Sequence, residues 1–332
     1  MVETHVTRRP VAPGAEEILG LYFPVLDHGF VSLVDYMGTD DSIERAARVS
    51  YGYGTRKASM TRGLIRYLRR HKHTTPSEMV ELKFHCCMPM FIARQWIRHR
   101  TANVNEYSGR YSLMPMLFYT PEAEQLQTQS NQNNQGRSGA SVSSAQYDRA
   151  KALWEEGRTS SVRTYEWLTG QEVARELARI DLPLSTYTQW YWKIDLHNLL
   201  HFLTLRIDTH AQWEIQQYGR VMAGMLKRVA PLSYEAWIDY DVCGGRLSRM
   251  ELEALRKLLV PKDGGIVASG ALSEAELIAS GLRQRELSEL LAKLVEQPVP
   301  DFELDPARGL PGEHFQARFA AAVPSIEAEP LE

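Results

Sequence analysis

Apolar residues recur along this chain in two rhythms. Between Gly29 and Gly38, Val31, Leu33 and Val34 alternate with polar neighbours, which predicts a short strand. Val80, Leu82, Phe84 and Cys86 alternate with Glu81, Lys83 and His85, a half-buried strand that Pro89 ends. Ser185 to Ile194 is aromatic and β-branched and reads as a third strand. Other stretches carry the helical period. Asp41 with Glu44 resembles a capping box and opens a helix through Val49. Leu64, Ile65 and Leu68 form the apolar face of a helix from about Met60 to His71, whose arginines belong to a solvated face. Pro89 suits the first turn of a helix from Met90 to His99. More helices are expected over about Ala145–Leu168, Gln171–Ala178, Leu196–Leu205 and Thr209–Val229. The last places Ile215, Tyr218, Met222, Met225 and Leu226 on one stripe, and Pro231 stops it.

This mixture predicts an α+β fold, a mixed sheet packed with long helices. Residues 1–28, with Pro10, Pro13 and Gly14, read as a loosely held lead-in to a main domain over 29–240. Gln125 to Gln146 is polar and of low complexity, and is expected to be a mobile insert. After about Tyr240 two amphipathic helical stretches with a glycine-rich linker form an extension over 241–332, in which Ser273 and Glu276 make another capping box. From Pro298 the composition suggests a tail.

Charge and composition narrow the function. The net charge of -3 over 332 residues gives no global pull toward nucleic acid. Three cysteines, two of them adjacent (Cys86 and Cys87), do not make a disulfide framework, so a reducing, cytoplasmic setting is expected. The first residues lack an apolar signal core, and no apolar run reaches the ~18 residues of a membrane span.

One stretch concentrates chemistry. Phe91 to Tyr111 reads FIARQWIRHRTANVNEYSGRY, with four arginines, His99, Gln95, Glu106 and Ser108 among aromatic residues. Arginine grips phosphate or carboxylate bidentately, and Gly109 lets backbone approach a ligand. The run fits a pocket for a polyanionic, ring-bearing ligand. A bare basic patch for nucleic acid is the alternative, opposed by Glu106 and the apolar Phe91, Ile92, Trp96 and Ile97. A second cluster runs from Arg179 to Glu214. In it His197 and His201 share a helical face, open to zinc, to plain packing or to a flavin contact; the segment has no HExxH pattern and no convincing third ligand. Packing is favoured over metal.

Arg98-His99-Arg100, seven residues, then Ser108 is similar to the signature of flavin-dependent thymidylate synthases. RQWIRHRTANVNEYSGRYS resembles that family throughout, as do His73-Thr74-Thr75-Pro76 and the segment from Ala174 to Tyr218. The resemblance covers roughly residues 30–235, without the insert or the extension. Ser77 and Met79 stand where the family often has Phe and His, and Asp195 and His201 where some members carry Asn. The resemblance implies reductive methylation of dUMP to dTMP, with 5,10-methylenetetrahydrofolate as carbon donor and NADPH as reductant through FAD. It implies a homotetramer with shared active sites, and neither metal, nucleic acid nor membrane as partner. Carried over by position, Gln95, Trp96, Ile97, Arg98, Glu106, Tyr107, Ser108, Gly109, Arg110, Arg179 and Arg206 would meet dUMP. His73, Thr75, Arg98, His99, Arg100, Glu106, Asp195, Leu196, His197 and His201 would meet FAD. Arg206 would be catalytic, favouring the ionised N3 of the pyrimidine. Cys86 and Cys87, in an apolar strand with no adjacent cation, are not expected to act as nucleophiles.

Overall fold

The structure is a computed structural model that describes residues 9–49, 61–130, 136–262, 265–268, 270–279, 281–295 and 298–324. Its centre is a five-stranded sheet: β1 (Tyr22–Val25), β2 (Gly29–Met37), β3 (Glu81–Pro89), β4 (Asn103–Glu106) and β7 (Tyr187–Asp195), in the order β1-β2-β3-β7-β4. Every neighbouring pair is antiparallel, so the expected mixed sheet is corrected to a purely antiparallel one. The α+β class stands.

Side-chain alternation assigns the two faces. In β3 and β7, Phe84 lies opposite Trp192 and Cys86 opposite Trp190. This face packs on Trp96, which sits 5.0–5.8 Å, centroid to centroid, from Trp190, Trp192, Phe202 and Tyr218. Trp96 is fully buried, and removing such a ring from a core typically costs about 3–5 kcal/mol. The helices Met90–Trp96, Leu196–Arg206 and Trp213–Val229 deliver Trp96, Phe202 and Tyr218, and β7 supplies Trp190 and Trp192. In the last, Ile215, Tyr218, Met222, Met225 and Leu226 are all wholly buried, as their stripe predicted.

The other face carries His85, Cys87 and Phe30. It is covered from the C-terminal end, by Phe315 and Phe319 of the helix Gly312–Ala321, together with Tyr22, Tyr119 and Tyr187. Of the stretch expected to be a tail, residues 302–321 are therefore packed into the fold, and residues 325–332 lie outside the described ones. Phe302 and Leu304 are buried as well. From residue 9 on the lead-in is corrected in the same way, residues 1–8 lying outside the described ones: Ala15 and Ile18 are wholly buried, and β1 is an edge strand of the sheet.

The polar insert forms a hairpin of β5 (Gln127–Gln129) and β6 (Arg137–Ser141), with residues 131–135 outside the described ones. Ser143 then caps the 27-residue helix Ser144–Gly170. Two compact units result, residues 1–235 with 302–332, and residues 236–301. The expected boundaries at 28 and 240 do not coincide with these. Within the second unit, Ala254, Leu277, Leu282, Leu287 and Leu290 form a small core. Ser248 caps the helix Arg249–Leu258 through Glu251, which also accepts from Lys293 Nζ at 2.5 Å. The Ser273–Glu276 capping box is present, and the glycine-rich linker holds the hairpin Leu259–Lys262 with Gly265–Ala268. No helix among the described residues is long and apolar enough to cross a membrane.

Candidate functional site

The helix Leu196–Arg206 organises the candidate site. Its N-terminal end follows β7 directly and is capped by Asp195, whose carboxylate accepts from Asn198 N at 2.9 Å and from Asn198 Nδ2 at 2.7 Å. Leu196 N donates to Val80 O at 2.7 Å, which ties this end to the short turn Thr75–Met79. His73 and Thr75 lie exposed beside it, with His73 in ring contact with Tyr67. His197, His201 and Leu205 fall on one face at spacings of four. His201 and Leu205 are exposed, and the buried His197 Nδ1 has no hydrogen-bond partner. Leu205 was not expected from the sequence; its place four residues beyond His201 was the available signal.

Arg206 ends this helix and meets the donor-rich run. Its Nε donates to His99 Nε2 at 3.0 Å, and its Nη2 donates to Gln95 O at 3.2 Å. The His99 ring also contacts His201 and Phe202. Burial, then the positive charge of Arg206, then His201 hold the His99 pKa down at about 4. His99 is therefore a neutral acceptor at neutral pH, with its proton on Nδ1. Of the five N–H donors of a guanidinium, two are committed here, which leaves three. Burial lowers the Arg206 pKa somewhat. Gln95 Nε2 bonds Gln212 Oε1, a partner supplied by the turn before the helix Trp213–Val229. That pairing was also not anticipated. Arg98 and Arg100 are exposed cations with no ion pair among the described residues.

A second group forms around Ser108, Gly109 and Arg110. An ideal Cβ on Gly109 would lie 3.1 Å from Arg179 Nη1, so the guanidinium sits against the glycine. Arg110 Nε donates to Glu176 at 2.7 Å, and Arg175 Nη1 donates to Tyr111 O at 2.5 Å. A cavity of about 620 Å³ opens here, lined by Arg110, Tyr111 and residues of the 169–176 turn. Glu106 is exposed on β4 and accepts from Thr188 Oγ1 at 2.8 Å. No hydrogen bond or ion pair joins this group to the Arg206 group among the described residues.

Trp96 and Leu196 are wholly buried, so their side chains serve the core, and a ligand would meet these positions through backbone. Ile97 is partly exposed, and Tyr107 is half-buried with its hydroxyl bonded to Leu113 O. Cys86 and Cys87 are buried in β3 with their thiol pKa values pushed up by desolvation, which removes thiolate chemistry. His210 bonds Asp208 at 2.8 Å. No trio of His, Cys, Asp or Glu set to hold a metal is present among the described residues.

Residues 32–232 match the family model described as thymidylate synthase complementing protein. This match spans more than half of the chain. The chain belongs to the flavin-dependent thymidylate synthase family. Proteins of that name resemble it closely: one from Ruegeria pomeroyi is 51% identical over 263 residues, covering 77% of this chain and 86% of the relative. Another, from Rickettsia bellii, is 46% identical over 298 residues, covering 86% and 98%. Among solved structures, a UMP/dUMP methylase from Streptomyces cacaoi bound with 5-Br UMP matches with TM-score 0.60 and 31% identity, covering 66% of this chain and 98% of that one. Membership in this family of flavin-dependent thymidylate synthases makes the chain an enzyme, a flavoprotein methyltransferase.

Proposed function

We propose that the protein methylates dUMP to dTMP, taking carbon from 5,10-methylenetetrahydrofolate and reducing equivalents from NADPH through FAD. The observation that carries this reading is the convergence of Arg206, His99 and Gln95 at the end of a helix whose exposed face is apolar and imidazole-lined. That face suits an isoalloxazine: Leu205 offers apolar area, His201 an exposed ring, and His197 an unpaired buried nitrogen. From His197 to Arg206 the helix rises roughly 13 Å, on the scale of a fused tricycle. Arg98 and Arg100 supply uncommitted positive charge for phosphates. When bound, FAD supplies the hydride chemistry, and the protein orients it.

The residues of this chain have separate tasks in the scheme. Arg206 presents its remaining N–H groups to the pyrimidine edge and stabilises charge as the proton leaves N3. Neutral His99 holds the guanidinium in place without adding a competing positive charge. Ser108, Gly109, Arg110 and Arg179 take the nucleotide phosphate, each charge-assisted bond contributing on the order of 1.5–3 kcal/mol. Ser108 acts as a hydroxyl donor. No hydrogen bond or ion pair joins the group around Ser108 to the Arg206 group among the described residues, and the homotetramer that the family resemblance implies would let each site take residues from two copies.

The test is a visible absorption spectrum of the purified protein, recorded before and after NADPH and dUMP, with dTMP assayed. Flavin absorbance that bleaches with NADPH in a dUMP-dependent manner is expected. A protein that takes up no flavin on reconstitution would overturn the proposal.

A further inference from the structure

We infer that Arg137, in the hairpin β5–β6, is a positioning residue that sets Gln95 and Arg206 through the turn at 208–213. The activity part of this inference rests on the reading given under Proposed function.

A continuous series of contacts makes the connection. Arg137 Nη2 pairs with Glu214 Oε1, its Nη1 donates to Gln125 Oε1 at 2.8 Å, and its guanidinium lies 5.8 Å from the Trp213 ring centroid. Glu214 is 2% exposed and receives one further bond, from the Tyr119 hydroxyl at 3.0 Å; its Oε2 has no partner. Trp213 and Glu214 begin the helix Trp213–Val229, so their placement fixes where the preceding turn ends. That turn is held by Ala211 N to Asp208 O at 2.9 Å and by Gln216 Nε2 to Ala211 O at 2.8 Å. It presents Gln212 to Gln95, whose backbone oxygen in turn receives Arg206 Nη2.

Burial gives the linkage its force. A carboxylate withdrawn from water needs a cation, and Arg137 is its partner. The ion pair spans the hairpin and the helix start, so whatever orders one orders the other. Arg137, Trp213, Gln212 and Gln95 also line one cavity of about 870 Å³. The hairpin thus stands across an open space from the Gln95 side chain, and Arg137 joins it to the far wall.

The experiment compares Arg137→Ala, Arg137→Lys and the double variant Arg137→Ala/Glu214→Gln in the full chain. Hydrogen exchange over 208–213, thermal midpoint, flavin content and the steady-state constants for dUMP are measured for each. Arg137→Ala should exchange faster over 208–213 and lose about tenfold to a hundredfold in kcat, with flavin content unchanged. Arg137→Lys keeps the charge but not the fork, and should lie between. The double variant removes the stranded carboxylate, so its midpoint should recover while exchange stays fast and kcat stays low. Recovery of kcat together with stability in the double variant would reduce Arg137 to charge neutralisation and overturn the inference. So would unchanged exchange in Arg137→Ala. The exchange arm needs no turnover: a wild-type protein that makes no dTMP would overturn the proposed reaction and leave the exchange result standing.

Discussion

Arg206 Nε donates to His99 Nε2 at 3.0 Å, across 107 positions of sequence. A guanidinium cannot accept, so His99 must, and the bond exists only with that nitrogen unprotonated. The proposed catalytic cation is thus held by a neutral ring. Replacing Arg206 with Ala should lower dTMP formation about 10²–10³-fold, the usual loss for one preorganised charge donor. Bound flavin should stay within twofold of wild type, read from absorbance per chain, because Arg98, Arg100 and the His197–His201 face remain. Turnover within a few-fold of wild type would remove Arg206 from its role.

The same bond predicts a pH dependence of stability. The His99 pKa is depressed in the folded chain to about 4, first by burial and then by Arg206. An unfolded His titrates near 6.5. Between these values the unfolded chain binds more protons, so stability rises with pH across the window. It should fall as pH drops from about 6.5 toward about 4 and then level off for this group. Urea midpoints at several pH values should show this slope reduced in His99→Gln. An unaltered slope in that variant would mean that His99 is not the group responsible.

Gly109 makes a steric prediction. A Cβ there would lie 2.5 Å from Met114 Sδ and 3.1 Å from Arg179 Nη1. The thioether can rotate away, but the guanidinium must shift by a few tenths of an ångström. Gly109→Ala should therefore raise the KM for dUMP about tenfold and change kcat little, since Arg206 is untouched. Steady-state kinetics separate the two constants. A fall in kcat with KM unchanged would place Gly109 in the wrong half of the site.

How much of this was legible in the sequence follows from range. The strand β3 showed itself by alternation as far as Cys86. In the structure every residue from Phe84 to Pro89 is buried, His85 included, because the C-terminal helix covers the second face there, and the period disappears. That helix was missed because Phe315 and Phe319 are its two buried residues, in a stretch otherwise rich in Pro, Glu and Asp. The hairpin was missed because polar pairs hold it: Thr128 Oγ1 with Ser138 Oγ at 2.6 Å, Gly139 N with Gln127 Oε1 at 3.0 Å, and Arg137 with Glu214 from a distant segment. Composition reads such a stretch as unable to pack. In the site, residue types at short spacing identified the Arg98–Arg110 run. The His99–Arg206 and Gln95–Gln212 pairings depend on how two remote helices end, and local pattern carries no record of that.

Asp195 tests how a structural role and a binding role combine in one side chain. The resemblance places it at FAD, while the structure shows its carboxylate capping the helix that carries His197, His201 and Arg206. Asp195→Ala removes the acceptor for Asn198 N and should cost about 1 kcal/mol in stability by denaturant melts. Asp195→Asn keeps a side-chain oxygen at the cap and should lose little of this. Flavin affinity then separates the two roles. If Asp195 acts only by holding the helix end, Asn should bind FAD as wild type does, and Ala should weaken binding only in step with the lost stability. Weak FAD binding in the stable Asn variant would instead show that the carboxylate charge itself meets the cofactor. We expect the Asn variant to bind normally, because its remaining side-chain oxygen can still accept from Asn198 N and hold the helix end.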